Sequence, residues 1–170
     1  MKKFRLYYDV EKELAWLQEM VNQGWAVTHF ALGVYTFEPC KPGEYIYQID
    51  LLKDIADFEN YKAFMEDSGV EVICRWVRWV FVRRKAEEGH FALYTDRESL
   101  VQHYTNMKKF FLPAAVAETA CAVMELFAGI ASGKVAFGFL VLLLGALAVV
   151  LWRVVWKCSW KIETLKKQAE

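Results

Sequence analysis

The sequence predicts an α+β domain, a strand–helix–strand–strand unit written twice, followed by a two-helix transmembrane hairpin. Three observations carry this. The 22 residues from Val135 to Trp156 hold a single charge. The 21 basic and 21 acidic residues cancel overall but are distributed in blocks. Residues 1–94 pass twice through one order of short strand, helix, glycine and two further strands.

The hairpin is the clearest element. At a rise of about 1.5 Å per residue, Val135–Trp156 spans the roughly 30 Å hydrocarbon core of a bilayer. Phe110–Ala131 is also long and apolar, although it contains Glu118 and Glu125. Each charged carboxylate costs on the order of 2.5–3.5 kcal/mol at mid-membrane, a cost that protonation or a partner reduces. Ser132, Gly133 and Lys134 make a three-residue connector, which forces the two helices to run antiparallel. Lys108, Lys109, Arg153, Lys157 and Lys161 lie at the open end, and only Lys134 lies at the tip. The positive-inside rule therefore predicts a multi-pass cell-membrane protein with both termini in the cytoplasm. Trp152, Trp156 and Trp160, spaced by four, suit an interfacial anchor on one helix face.

Charge then divides the rest. Residues 1–94 carry 12 basic and 15 acidic side chains, and the 157–170 tail carries four basic and two acidic. A cytoplasmic domain over 1–94, a linker helix over 95–109, a hairpin over 110–156 (110–131 and 135–156) and a basic tail over 157–170 follow. A hydrophobic share of 56% excludes a disordered chain. Four scattered cysteines exclude a disulfide scaffold, and charges near the N-terminus leave no cleaved export signal to expect.

Within the domain, Phe4–Tyr8 reads as a strand, Asp9 as an N-cap, and Val10, Leu14, Leu17 and Val21 as one helix face stopped by Gly24. Two strands, 25–32 and 34–38, follow. A strand over 44–52 opens the second half, Asp57 caps a helix ending at Gly69, and strands at 70–76 and 79–85 close it. The repeat predicts a mainly antiparallel six-stranded sheet with both helices on one face. Thr95 and Glu98 form a capping box for the linker helix. Pro113 predicts a break or kink where that helix meets the membrane.

The series Trp16-Leu17, Met20, Gly24-Trp25, then Tyr35, Phe37-Glu38, then Pro42-Gly43-Glu44-Tyr45-Ile46-Tyr47, then Leu93-Tyr94-Thr95-Asp96 resembles an uncharacterised bacterial domain-of-unknown-function family. The resemblance covers about residues 1–109; Val70 departs from it where a tryptophan is expected. It implies a gene neighbourhood with PadR-type transcriptional regulators and paired C-terminal membrane helices, and no established reaction. A response to envelope stress or toxic compounds is the setting it implies.

Little in the chain points to catalysis. His29, His90 and His103 lack metal-ligand spacing, no serine sits in a GxSxG elbow, and the glycines form no nucleotide-binding pattern. A non-enzymatic protein without cofactor or metal is expected. Arg75, Arg78, Arg83, Arg84 and Lys85, interleaved with Trp76 and Trp79, read as a solvated strand edge or a contact for anionic lipid. The net negative domain argues against nucleic acid. Trp25, Tyr35, Glu44, Tyr45, Tyr47, Trp76 and Trp79 are candidates for lining a groove between the halves, for an apolar or amphiphilic ligand. The same aromatics suit a packed core equally well. Glu118 and Glu125 share one face of the first membrane helix, and Arg153 lies close enough in depth for a contact with Glu118. The expected function is sensory or partner-binding, the domain being coupled to a hairpin that meets lipid and either a second copy or a membrane partner. The alternative is a subunit of an oligomeric small transporter or channel using Glu118 and Glu125.

Overall fold

The computed structural model of the protein describes residues 1–7, 9–133 and 135–168. It divides into two compact units, Met1–Thr95 and Asp96–Glu170. The first contains β1 (Lys2–Phe4), α1 (Val10–Asn22), β2 (Trp25–Ala31), β3 (Val34–Pro39), β4 (Tyr45–Leu51), α2 (Phe58–Asp67), β5 (Glu71–Trp76), β6 (Trp79–Lys85) and a short 3-10 turn. The second consists of α3 (Arg97–Ser132) and α4 (Val135–Lys167). The α+β unit and the two-helix hairpin read from the sequence are both present. The predicted strand at Phe4–Tyr8 forms only over Lys2–Phe4, and Tyr8 and Lys134 lie outside the described residues.

All strand pairings are antiparallel, but the sheet is divided. One sheet has the order β1-β3-β2 and the other β4-β6-β5. Each half thus pairs its strands in the order first, third, second, which is the repeat expressed as topology. Three landmarks recur at a fixed offset along the chain. Gly24 and Gly69 end the helices at φ +83° and +73°. A bulge shifts the register between Val27 and His29, and again between Val72 and Cys74. Leu32 and Val77 then open two-residue turns at φ +49° and +55°. β2 and β5 are neighbours, with Phe30 and Trp76 ring centroids 5.6 Å apart near the turns. At the opposite ends Glu38, which pairs across from Ala26, lies 3.6 Å from Arg83, which pairs across from Glu71. The two strands therefore run in parallel, with both turns at one end of the unit. Both carry a bulge, which interrupts the regular register a shared ladder would need.

Two cores result. Trp16, Leu17, Met20 and Val21 of α1 pack with Val27, Phe30, Tyr35 and Phe37 of the first sheet and with Tyr47, Ile49 and Phe81 of the second. Met65 of α2 packs with Leu52, Val70, Val80, Val82 and Phe91. Successive strand residues point to opposite faces, so Val80 and Val82 face away from Phe81. The two helices consequently cover opposite faces of the second sheet rather than sharing one.

Helix ends also refine the expectation. Asp9 caps α1, its Oδ1 accepting from Glu11 N at 3.1 Å. Asp57 instead accepts from the Asn60 side chain at 2.9 Å. Asp96, not Thr95, caps α3, with Ser99 N donating at 2.8 Å; a carboxylate there also complements the positive helix end. The helix then continues through Pro113 without a break, so the predicted linker helix and first membrane helix are one element of 36 residues. α4 extends in the same way through most of the predicted tail. Both helices are long and apolar enough to cross a membrane.

α3 and α4 pack antiparallel. Trp152 Nε1 donates to Thr119 Oγ1 at 2.9 Å, and a Cβ at Gly129 would stand 3.0 Å from that of Phe137. Buried and half-buried positions recur at heptad spacing, at Ala115, Glu118, Ala122, Glu125 and Gly129 on α3 and at Val141, Leu144, Ala148, Leu151 and Val155 on α4. This is the pattern of a coiled-coil seam.

Candidate functional site

The aromatic residues read as a groove are largely core. Tyr35 and Tyr47 are buried, and Trp25, Tyr45, Trp76 and Trp79 pack half-buried against the same cluster. Trp16 meets Tyr35 edge-on at 4.9 Å, and Phe30 lies tilted against Phe81 at 4.9 Å. The Tyr47 hydroxyl donates to the Val27 carbonyl at 3.1 Å. Glu44 closes a turn, its Oε2 accepting from Lys41 N at 2.8 Å, and that bond holds its carboxyl below the usual range. These residues bind the two sheets and α1 together.

The basic cluster separates over both faces of the second sheet, because β6 is its central strand. Arg83 is buried and cannot face lipid. Its Nε and Nη2 donate to Glu71 at 2.7 and 2.9 Å, and its guanidinium lies 4.2 Å from the Tyr45 ring centroid. Nη1 is 3.6 Å from Glu38 Oε1, an ion pair without a hydrogen bond. Arg84 pairs with Glu88 at 2.7 Å and Lys85 with Glu87 at 3.6 Å. Arg78 donates to the Leu52 carbonyl at 2.7 Å and to that of Lys53. Arg75 lies over the Phe58 ring at 4.6 Å and reaches the Ile55 carbonyl.

Two buried carboxylates appear instead. Glu13 lies on the inner face of α1, where the Tyr35 hydroxyl donates to its Oε1 at 2.5 Å. Burial pushes its carboxyl up to about 7, against the opposing effect of the Tyr35 bond. The Tyr35 hydroxyl is itself pushed up, first by burial and then by Glu13. Asp50 in β4 is buried and accepts from Tyr94 Oη at 2.6 Å, Tyr61 Oη at 3.1 Å and Leu51 N at 2.7 Å. It thereby ties α2 and the segment before α3 to the second sheet. Among the described residues no cluster of three or more His, Cys, Asp and Glu is arranged to hold a metal.

In the hairpin, Glu118 and Glu125 lie on the seam between small residues. Oε1 of Glu118 and Oε2 of Glu125 are inaccessible to solvent and have no hydrogen-bond partner. The facing positions of α4 named above are apolar. Arg153 is exposed and forms no ion pair with Glu118, so the contact anticipated from depth is absent. With Trp152 and Trp156 it borders an open groove of about 470 Å³ over Thr119, Ala148 and Val149. A carboxylate oxygen in such a seam can accept a proton or a donor from another chain.

Fold and site together define a class: an α+β unit with a filled aromatic core, joined to a helical hairpin that carries carboxylates in its seam. The chain belongs to the family described as protein of unknown function, DUF2812, whose profile matches residues 9–116. No curated protein and no solved structure matches the chain. The matched span takes in the α+β unit from its first helix cap and the start of α3; Glu118, Glu125 and Arg153 lie beyond it.

Proposed function

We propose that the protein is a non-enzymatic, membrane-anchored partner-binding protein. Its hairpin spans the cell membrane with both termini cytoplasmic, and the seam carboxylates engage a second helical element, either another copy or a different membrane protein. The observation that supports this is the pair of buried, unpartnered oxygens on Glu118 and Glu125. An unsatisfied polar atom in an apolar seam is costly, and a donor from a partner helix removes that cost. The α+β unit is the sensory part. Tyr94, held by Asp50, precedes the α3 cap by two residues, so a ligand or partner that shifts this segment biases hairpin packing. A setting in envelope stress or response to toxic compounds fits this reading.

Cross-linking and native mass spectrometry of the full chain from its own membranes test the proposal. An oligomer or a stoichiometric membrane partner is expected, weakened by Glu118→Gln with Glu125→Gln. A lone monomer would overturn it. The spacing of both carboxylates along one seam favours a second reading, an oligomeric small transporter. Proton or cation flux in proteoliposomes, lost in the double Gln variant, is its signature.

A further inference from the structure

The turn end of the α+β unit carries an anomaly in both repeats. A two-residue hairpin turn with positive φ at its first position suits Gly, Asn or Asp, and an aliphatic side chain there is strained. Yet the positions are held by Leu32 and Val77, 74% and 54% exposed. Asparagine or glycine would serve both the backbone and the water better. Strain kept at equivalent places in two repeats points to a use for the side chains.

The surroundings are of one kind. Phe4 and Leu6, also exposed, lie against the Gly33 turn, where a Cβ would meet Leu6 Cδ2 at 2.7 Å and Phe4 Cε2 at 3.0 Å. Arg5 N donates to the Gly33 carbonyl at 2.8 Å. Beside the second turn, exposed Ile55 and Lys53 belong to the loop that Arg78 and Arg75 hold by its carbonyls. Arg5, Lys53, Arg75 and Arg78 share this end with two acidic residues of the same loop, Asp54 and Asp57, a local balance of four to two. The remaining charges of residues 1–94 are eight basic and 13 acidic. The unit is therefore electrically uneven, with an excess of cations at the end where its aliphatic residues protrude and an excess of carboxylates in the remainder.

We propose that this turn end docks on an anionic bilayer surface, with Leu32 and Val77 inserted at the headgroup–acyl boundary and the four cations over the lipid phosphates. Protruding aliphatic and aromatic groups within a basic collar have the chemistry of an interfacial lipid contact. Repulsion between two such basic ends disfavours a second copy as the occupant. The inference rests on the membrane anchoring proposed above, which supplies the nearby surface.

The test uses the full chain in nanodiscs of phosphatidylcholine, with and without 30% phosphatidylglycerol, followed by hydrogen exchange. Peptides covering residues 1–6 and 50–56 should exchange about tenfold more slowly in the anionic discs, and 0.5 M salt should remove the difference. The double substitution Leu32→Asn with Val77→Asn relieves the backbone strain, so the variant should fold at least as stably while losing the lipid-dependent protection. Equal protection in both discs, or protection retained in the variant, would overturn the proposal. So would protection that follows the number of chains per disc rather than the lipid, which marks a contact between copies. Co-elution with the disc reports anchoring separately. A chain that inserts without lipid-dependent protection refutes docking alone, and one that fails to insert refutes both readings.

Discussion

Glu13 makes the α+β unit sensitive to pH in an unusual direction. Its carboxyl rises from 4.5 to about 7 on folding because burial disfavours the charged form. The folded state thus holds the proton more tightly than the unfolded chain. The stability that the protonated group permits is complete below about pH 4.5 and is lost as pH rises through about 7. At about 1.36 kcal/mol per tenfold change in proton affinity the full effect is about 3 kcal/mol, of which about 2.5 kcal/mol falls between pH 5 and pH 8. Glu13→Gln keeps an acceptor for the Tyr35 hydroxyl and removes the titration. Hydrogen exchange of the Val27 and Tyr35 amides in the detergent-solubilised full chain reports the opening free energy of this core. The wild type should weaken by about 2.5 kcal/mol relative to Glu13→Gln over that pH interval. Parallel profiles for the two proteins would refute the assignment of a buried, proton-holding Glu13.

Other expectations follow from the same geometry. Gly33→Ala forces a Cβ against Leu6 at a φ of +79° and should cost about 1–2 kcal/mol, read as a lower melting temperature of the α+β unit. Tyr94→Phe removes the 2.6 Å donor from Asp50 and should weaken α2 by about 1–2 kcal/mol, visible as faster exchange in Phe58–Asp67. Arg83→Met should cost only about 1–2 kcal/mol in denaturant melts, because the Glu71 and Glu38 side chains are 57% and 53% exposed and keep their water. Gly129→Ala should loosen the hairpin by about 1 kcal/mol, measured by steric trapping, since its new Cβ lies 3.0 Å from that of Phe137.

The repeat was legible because its punctuation is chemical. Gly24 and Gly69 supply positive φ where each helix must stop, and the strands between them are rich in aromatic and branched residues. The face chosen by α2 was not legible. Val80, Phe81 and Val82 form an unbroken apolar run, and a strand buried on both sides shows no alternation to read. The bulges at Val27 and Val72 add a one-residue shift that composition does not announce. Arg83 was misplaced for a related reason: a basic run suggests an edge, whereas β6 is central and alternation buries one member of the run. In the sequence Glu13 looks like a first-turn acid suited to the positive end of the helix. Its spacing of four and seven from Leu17 and Met20 was the available signal that it shares their buried face. Glu118 and Glu125 needed no fold to be noticed, since charge within an apolar run is conspicuous; their burial without partners required the paired helices.

The unequal division of the two cores has a consequence for motion. The cluster under α1 joins both sheets through eleven buried residues, while the one under α2 has six and draws only on the second repeat and the segment after it. The α2 side is thus the less stable cooperative unit, able to open sub-globally while the α1 core persists. Such an opening would release Tyr61 and Tyr94 from Asp50 together, and the freed end is the stretch of chain that enters α3. Local unfolding on one side of one sheet would then free the last stretch of the α+β unit while the α1 core keeps its packing.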